Sequence, residues 1–360
     1  MKQHIVQTIR NEITGGERNP GSRLPSVEIL ARRFGTTEDE VIESLEKLER
    51  LNYLEPEGED GTYLVQTPPD LTLSHTVAVG LGRSRHVWGD LAELLAAMFQ
   101  EDERLPVVFD VEDQEGRQQL ERLGGSQVEA FVIRGTRGFP YRILQNDLFS
   151  DKIILGIADW EGPVLPGMLR VLSDYEAGAR LLARHLFNRG HRRLLAVAPG
   201  EHHFQPVLGD DADENQKFVP RRPGKVLLDE WKRLGGEYET LIVELGMEVL
   251  PSVPEDAYRR CFGGDSERPA VFSTMDVLSF AIQRWVREQR PEIFEEIYFA
   301  GFYDSPWSRA GHPPFTSVNL RLEELAVRAH RMLQKALNGE EVRQKLEVVK
   351  PRLVIRKQGN

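Results

Sequence analysis

The pattern of apolar residues changes near residue 70, and this change constrains the fold more than any other feature of the sequence. Residues 66–75 (QTPPDLTLSH) contain two adjacent prolines and show no apolar periodicity, which is typical of a linker. The chain before them is strongly charged and has helical periodicity, whereas the chain after them alternates strand-like apolar runs with amphipathic stretches. We therefore predict a helical domain over 1–66, a linker over 67–75 and an α/β domain over 76–360.

Composition excludes several classes of protein. The 360 residues are 40% hydrophobic and 29% charged, as in ordinary globular proteins, and suffice for two or three domains. No run approaches the roughly 18 apolar residues of a membrane-spanning helix, and the first residues lack the pattern of a signal peptide. A single cysteine, Cys261, cannot form an internal disulfide or a thiolate metal cage. We expect a soluble cytoplasmic protein.

The first segment has the outline of three helices and a hairpin. Isoleucines recur at helical spacing at the start of the chain, which predicts an amphipathic helix. Ser26 is placed to cap a second helix that carries Ile29 inward, and a third helix is predicted from Thr36 or Thr37 onward. Residues 55–65 are predicted to form a two-stranded hairpin. This order of elements is that of a winged helix-turn-helix.

These residues carry a resemblance to a known family. The stretch PGSRLPSVEILARRFGTTEDEVIESLEKLERLNYLEPEGEDGTYLV, residues 20–65, resembles the GntR-type winged helix. The family pattern begins Pro-Gly-x-x-Leu-Pro-Ser, continues Leu-Ala-x-x-Phe-Gly and closes with Gly-Thr-aromatic-Val. The first two parts occur at 20–26 and 30–35, and Gly61, Thr62, Tyr63 and Val65 match the third, with Leu64 inserted before the Val. The resemblance implies a domain that binds operator DNA as a dimer.

The charge of this segment opposes that role. Residues 1–66 contain eight basic and thirteen acidic residues, a balance of −5, and the family's basic positions read Glu28, Glu38, Ile42, Glu43 and Asp60. Because affinity for DNA rises with the number of phosphates that basic groups neutralise, non-specific binding should be weak. Glu38 could instead accept a hydrogen bond from a cytosine amine. The residues predicted to contact DNA are Arg23, Ser26, Arg32, Thr36, Thr37, Glu38 and Thr62.

The long second region has the pattern of a parallel α/β fold. Buried strands are predicted at 76–82, 106–111, 128–134 and 153–157, with helices over 88–100 and 115–123 between the first three. Further strands are predicted at 168–173, 194–199, 240–245, 270–274 and 297–302. The alternation of strands and helices predicts parallel sheets with helices on their faces.

Four blocks of this region resemble the sensor domain of the lac-repressor family, which has the two-lobed, type I periplasmic-binding-protein fold. The blocks are DYEAGARLLARHLFNRGHRRLLAV, AVFSTMDVLSFAI, IYFAGFYDSPWS and PPFTSVNLRLEELAVRAHRMLQKALNG. The resemblance spans about residues 76–356 and is stronger in the second lobe. A sensor of this type behind a GntR-type head resembles the layout of the arabinose repressors.

The resemblance implies a small-molecule effector, such as a sugar, in the cleft between the lobes. Carboxylates and guanidinium groups suit vicinal hydroxyls because each makes two hydrogen bonds in a plane. Met275 replaces the family's usual Asn, and Tyr303 stands where an Asp is common. Asp174 and Asp276 are equally placed to cap helices, and Trp88 to pack in a core. The predicted effector-binding residues are Trp88, Asp174, Arg221, Asp276 and Tyr303.

Motifs for catalysis and for metal binding are weak in this sequence. It has neither a P-loop nor a Gly-x-Ser-x-Gly elbow, and His202-His203 lacks a suitably spaced third ligand. We therefore expect no enzyme activity, no cofactor and no metal. The prediction is a homodimeric transcriptional regulator whose binding to operator DNA is modulated by an effector. The alternative is a degenerate regulator whose acidic head binds a protein partner in place of DNA.

Overall fold

The computed structural model describes residues 2–14, 16–50, 53–57, 62–66, 75–81, 87–111, 114–135, 141–160, 164–205, 222–243 and 269–358. The chain divides into two compact units. The first comprises residues 1–82, 96–133 and 139–154, and the second comprises residues 83–95, 134–138 and 155–360. The predicted linker lies outside the described residues, apart from His75.

The head, residues 1–66, belongs to the first unit and is the winged helix-turn-helix that the sequence predicts. Its elements are α1 (Lys2–Thr14), α2 (Val27–Phe34), α3 (Glu38–Arg50), β1 (Leu54–Glu57) and β2 (Thr62–Val65). Gly35 ends α2 in the left-handed conformation at φ 63°, which a glycine adopts without steric cost. The prediction that Ile29 points inward is wrong, because its side chain is 55% exposed on the outer face of α2.

The rest of the first unit is a parallel sheet with helices. It contains β3 (Thr76–Gly80), β4 (Leu105–Phe109) and the first residues of β5 (Ala130–Gly135), paired in the order β5-β3-β4 with β4 at the edge. The helices of this region are α4 (Val87–Glu101), whose second half belongs here, α5 (Gln114–Gly124), α6 (Tyr141–Leu144) and the 3-10 helix Asp147–Phe149. Every residue of β3 is buried, as expected for a central parallel strand.

The second unit contains two sets of paired strands. One set is β6 (Ile153–Trp160), β7 (Leu169–Ser173) and β13 (Leu346–Val349), all parallel. The other is a six-stranded sheet made of β8 (Arg193–Ala198), β9 (Glu237–Ile242), β10 (Ala270–Ser273), β11 (Phe299–Phe302), β12 (Thr316–Asn319) and β14 (Arg352–Val354). Its order is β14-β12-β11-β10-β8-β9, and only β14 among these strands runs antiparallel to its neighbour.

The main helices of the second unit flank these strands. They are α7 (Tyr175–Asn188), α8 (Pro223–Arg233), α9 (Asp276–Gln289), α10 (Pro306–Ala310) and α11 (Leu322–Leu337). The core of the six-stranded sheet contains Val271, Phe299 and Phe315, none of them more than 1% exposed. Because parallel strands end at the same edge of a sheet, the residues that follow β10 and β11 lie where α/β proteins place their ligand crevices. The predicted parallel α/β fold is confirmed.

Candidate DNA-binding head and effector site

Helix α3 occupies the position of a recognition helix and presents an acidic face. Thr37 caps it, since its hydroxyl accepts a hydrogen bond from the backbone N–H of Glu40 at 3.3 Å. The buried stripe of α3 consists of Val41, Ser44, Leu45 and Leu48. The opposite face exposes Glu38, Ile42 and Glu43. A helix of this charge repels phosphate and offers acceptors where DNA readers usually offer donors.

Arg23, one of the residues predicted to contact DNA, is held by an acidic side chain of the wing. Its Nε lies 2.6 Å from Oε2 of Glu57, and its Nη2 donates to Oε1 of the same carboxylate at 2.8 Å. The hydrogen bonds to Glu57 raise the pKa of Arg23. The Arg23 side chain nevertheless remains 69% exposed, so a phosphate could compete with Glu57 for it.

The other residues predicted to contact DNA lie around the same two helices. Ser26 precedes α2 with an extended backbone, and its carbonyl accepts the N–H of Leu30. The remaining described positions include Arg32, which donates to Glu28, Thr36, which donates to Glu40, and Thr62, which pairs with Glu57 in the hairpin register. The wing tip at 58–61, including Asp60, lies outside the described residues. Arg23 and Arg32, the two basic residues predicted to contact DNA, are thus both paired with carboxylates.

A second group of residues in the second unit joins an Arg, an Asp and a Tyr at strand ends with a Trp in the first turn of α4. We call Trp88, Arg134, Asp159 and Tyr303 the strand-end cluster. The guanidinium of Arg134 lies over the Trp88 ring, 4.4 Å from its centroid, and its Nε lies 2.9 Å from Oδ1 of Asp159. The Tyr303 ring meets the Trp88 ring edge-on at 5.6 Å. The cluster therefore combines aromatic faces with a guanidinium–carboxylate pair.

The structure brings together two of the residues predicted to bind an effector, Trp88 and Tyr303. Trp88 is only 5% exposed, so its ring is a covered surface in this conformation. Sequence reasoning missed Arg134 and Asp159. A signal was available, since both are charged residues near the carboxyl ends of apolar runs, the part of a parallel strand that lines ligand crevices.

Asp276 is the most deeply buried carboxyl group near this site. It is 2% exposed, its Oδ1 accepts from the Ser317 hydroxyl at 2.7 Å, and its Oδ2 accepts from the Ser305 N–H at 2.6 Å. Burial raises the pKa of Asp276 to about 7, and the nearby charge of Asp304 adds to the effect, although these hydrogen bonds oppose it. Through its hydrogen bond from the Ser305 N–H, the buried Asp276 stabilises the loop after β11.

The backbone of that loop is strained. Tyr303 and Asp304 are consecutive non-glycine residues with positive φ, at 96° and 51°. The carboxylate of Asp304 is fixed by the guanidinium of Arg356 at 2.5 Å and by the side-chain amide of Asn319 at 2.8 Å. Conformations of this kind persist where surrounding contacts determine them, and they concentrate at ligand sites.

Asp174 falls outside this arrangement. The Asp174 carboxylate accepts the N–H of Ala177 at 2.9 Å and caps α7, which is the structural role that its sequence position allowed. Arg221 lies outside the described residues, as does Cys261. Among the residues that the structure describes, no three His, Cys, Asp or Glu side chains are grouped to hold a metal ion. None of the described helices is long and apolar enough to cross a bilayer.

Two models of known protein families match parts of the chain. Residues 1–64 match the model of bacterial regulatory proteins of the gntR family, and residues 183–357 match that of the periplasmic binding protein-like domain. The chain thus combines a gntR-type helix-turn-helix domain with a periplasmic binding protein-like domain, and each of the two models covers less than half of its length. This is the domain layout of a DNA-binding transcriptional regulator that responds to a small-molecule effector.

Two curated repressors are similar to this GntR-headed chain. The arabinose metabolism transcriptional repressor of Geobacillus stearothermophilus is 22% identical over an alignment of 368 positions, which spans 98% of this chain and 95% of that protein. The HTH-type transcriptional repressor PurR of Mannheimia succiniciproducens is also 22% identical, over 249 residues and 66% of each chain. The first of these shares the whole length of the chain.

Solved structures share the fold of the sensor. The CelR–cellobiose complex has a TM-score of 0.61 at 16% identity, covering 93% of this chain and all of that one. A periplasmic binding protein/LacI transcriptional regulator from Alkaliphilus metalliredigens, complexed with D-xylulofuranose, has a TM-score of 0.60 at 18% identity and covers 80% and 100%. Because these sequence identities are low, the structural likeness establishes the fold alone.

Proposed function

We propose that the protein is a cytoplasmic transcriptional repressor that binds operator DNA as a homodimer and changes its affinity when a small polyhydroxylated effector occupies the strand-end cluster. The observation that carries the proposal is the position of this cluster at strand ends of a sensor joined to a GntR head. Such a regulator works by a population shift, so the effector must bind one sensor conformation more tightly than the other.

The chemistry of the cluster favours a sugar. Trp88 and Tyr303 supply aromatic rings for the apolar face of a pyranose or furanose, and Arg134 with Asp159 supplies paired donors and acceptors for vicinal hydroxyls. The pair is neutral overall, which suits an uncharged ligand. Structures similar to the sensor hold cellobiose and D-xylulofuranose, which supports the same class of effector here.

The bound state must differ from the conformation described above. Arg134 covers the Trp88 ring, so a sugar that stacks on this ring would displace the guanidinium. The displaced Arg134 could then donate to sugar hydroxyls while Asp159 accepts from them. This exchange supplies the difference in affinity between two sensor conformations that the proposal requires.

Exposed apolar residues support the homodimer. Leu105 and Val108 lie on the edge strand β4 and are 50% and 37% exposed, although parallel strands are normally covered. In the second unit, the partly buried rings of Phe280 on α9 and Trp307 on α10 pack at 5.2 Å. A second copy of the chain could cover surfaces of this kind, and two heads would double the few DNA contacts that each can make.

A selection experiment tests DNA binding directly. Genomic fragments would be captured by the purified full-length protein at low salt and sequenced, in parallel with the variant Glu38→Arg/Glu43→Arg. We expect the unmodified protein to recover one palindromic motif and Arg23→Ala to lose most of its affinity for that motif. Recovery of no motif by the unmodified protein would contradict the proposal, and unchanged affinity of Arg23→Ala would contradict the proposed docking.

The acidic face of α3 favours a second candidate function, which is binding of a basic protein partner by the head. Glu38, Glu43 and the 38%-exposed Ile42 together form a mixed apolar and acidic surface on one helix. If only the Arg variant captured DNA in the selection, the head would have kept its fold and lost its original ligand. Sugar binding to the sensor, measured by calorimetry with a panel of pentoses and hexoses, is independent of that outcome.

A further inference from the structure

The head contacts the sensor part of the first unit through hydrogen bonds that converge on one carbonyl group. The Tyr53 hydroxyl donates to the carbonyl oxygen of Gly125 at 3.0 Å, and Nη1 of Arg10 donates to the same oxygen at 3.1 Å. A third bond joins Nζ of Lys47 to Oδ1 of Asn146 at 3.0 Å. The donors come from α1, from the last turn of α3 and from the residue before β1, so three parts of the head are held.

The centre of this contact, the hydrogen bond from Tyr53 to Gly125, is buried, whereas the bond from Lys47 to Asn146 is exposed. Tyr53 is 2% exposed, and burial raises the pKa of its hydroxyl. Burial also lowers the pKa of Lys47, although the charge of Asp147 opposes the effect. A buried hydroxyl and a partly buried ammonium are costly unless they find partners, and here the sensor provides those partners.

The accepting loop is itself fixed from the sensor side. Nζ of Lys152, at the start of the chain into β6, donates to the carbonyl of Ser126 at 3.1 Å, and the Ser126 hydroxyl donates to the carbonyl of Leu123. Gly125 follows directly after α5, and its N–H donates to the carbonyl of Glu121. The Gly125 carbonyl, which accepts the hydrogen bonds of Tyr53 and Arg10, therefore belongs to a helix end that three further hydrogen bonds stabilise.

The docked head keeps its DNA-facing elements uncovered. The docking residues lie on α1, at the carboxyl end of α3 and next to the hairpin, whereas Glu38, Ile42 and Glu43 near the amino end of α3 are exposed. Docking and DNA contact thus use different surfaces of the same small domain.

We propose that Gly125 and Asn146 form a docking surface for the chain's own head, and that this contact, in addition to the linker, fixes the direction in which the head presents α3. The partner that fits this surface is the set of donors Arg10, Lys47 and Tyr53. Its consequence for gene control rests on the proposed function: a head fixed to the sensor would follow movements of the sensor instead of diffusing on a free tether.

The docking itself can be measured without DNA or effector. Spin labels would be placed on the exposed residues Asn19 of the head and Gln118 of α5 through Asn19→Cys and Gln118→Cys in a Cys261→Ser background. Labelled chains diluted into unlabelled protein report distances within single chains. We expect one narrow distance distribution, and a broader one extending to longer distances when Tyr53→Phe and Arg10→Ala remove both donors to Gly125.

The controls make the result decisive. Each hydrogen bond removed should shift the docking equilibrium by about fivefold, so the double variant should show a larger effect than Tyr53→Phe alone. Arg50→Ala is the control. It removes an exposed arginine at the carboxyl end of α3, close in sequence to Lys47 and Tyr53, and should leave the distance distribution narrow. A broad distribution in the unmodified protein, or a narrow one in the double variant whose circular dichroism shows a folded head, would overturn the proposal.

A second readout separates this inference from the proposed function. If a motif is found by selection, the double variant should bind the dimeric operator more weakly than Arg50→Ala does, because its heads lose their preset direction. If no DNA binds at all, the proposed function fails while the label distances still decide whether the head is docked.

Discussion

At the scale of single residues, the buried carboxyl of Asp276 makes a prediction about pH. Its pKa is raised to about 7 in the folded protein, so the folded state holds a proton that the unfolded state releases near pH 4. Stability from this group is therefore present at low pH and lost as the pH rises towards 7. We expect unfolding free energies to fall by on the order of 2 kcal/mol between pH 5 and pH 8 relative to Asp276→Asn.

Urea unfolding of the original protein and of Asp276→Asn, each at pH 5 and pH 8, measures this difference in unfolding free energy. Asp276→Asn is expected to be less stable at both, because an amide cannot accept from both Ser305 and Ser317 in the same geometry. The test lies in the slope with pH, which other titrating groups affect equally in both proteins. Parallel slopes would show that Asp276 is ionised at neutral pH.

A second residue-scale prediction concerns the pair between Arg23 and Glu57. Because Glu57 occupies the guanidinium that phosphate would bind, Glu57→Gln should strengthen binding to the selected operator by up to about fivefold. Glu55→Gln removes the same charge from the same strand without touching Arg23, since Glu55 pairs with Gln66. Filter binding at constant salt compares them, and an equal gain in both would assign the effect to net charge alone.

At the scale of elements, the packing of α7 on α8 depends on one buried carboxylate. Glu230 is 1% exposed and contacts Arg180, Arg184 and Arg233, with distances of 2.7–3.3 Å. Hydrogen bonds from Arg233 and Arg184 lower its pKa to about 2, although burial opposes them. We expect Glu230→Gln to cost about 2 kcal/mol at pH 7, because it removes charge-assisted hydrogen bonds from Arg184 and Arg233, whose side chains are 53% and 60% exposed and can turn to water.

The pKa of Glu230 also sets the pH range in which the stability difference between the original protein and Glu230→Gln decreases. The carboxylate contributes its full stability above its unfolded pKa of about 4.5, and this contribution is lost as the pH falls towards 2. The gap between the two proteins in denaturant unfolding should therefore narrow at pH 3. Asp229→Asn, which breaks an exposed pair with Lys225 on the same helix, should cost under about 0.5 kcal/mol. A similar cost for both variants would contradict the role of Glu230.

The elements themselves could be predicted from the sequence, but the contacts between them could not. Helical spacing and capping residues located α2 and α3, and apolar runs located the strands of the sensor. Helical periodicity predicted that Ile29 points inward, but this side chain is exposed. Periodicity does not show how many apolar residues of a short helix fit into a small core. Asp174 fitted both a helix cap and a ligand, and only the bond to Ala177 identified its structural role. Arg134 and Asp159 pair across the ends of β5 and β6, which are far apart in the sequence, so no local sequence pattern predicts this contact.

At the scale of the whole molecule, the proposed operator binding depends on the proposed association of two chains. A head with a charge of −5 binds DNA phosphates weakly, so specific binding through it would require two heads at a fixed spacing. The edge strand β4 is the part of the first unit best suited to hold a second copy. We expect Leu105→Glu/Val108→Glu to convert the dimer into a monomer in sedimentation velocity experiments, because a charge buried at an apolar contact is costly.

Val327→Glu provides the matched control, since Val327 on α11 is equally exposed at 50% but stands apart from β4 in the sequence. This variant should remain a dimer and keep its operator affinity. The monomeric variant should lose most of that affinity while still binding a sugar, because the strand-end cluster lies within a single chain. A Leu105→Glu/Val108→Glu protein that stayed dimeric would direct the search to Phe280 and Trp307. A monomer that bound the operator as tightly as the original would show that one head suffices, and the acidic α3 would then have to read DNA by contacts of its own.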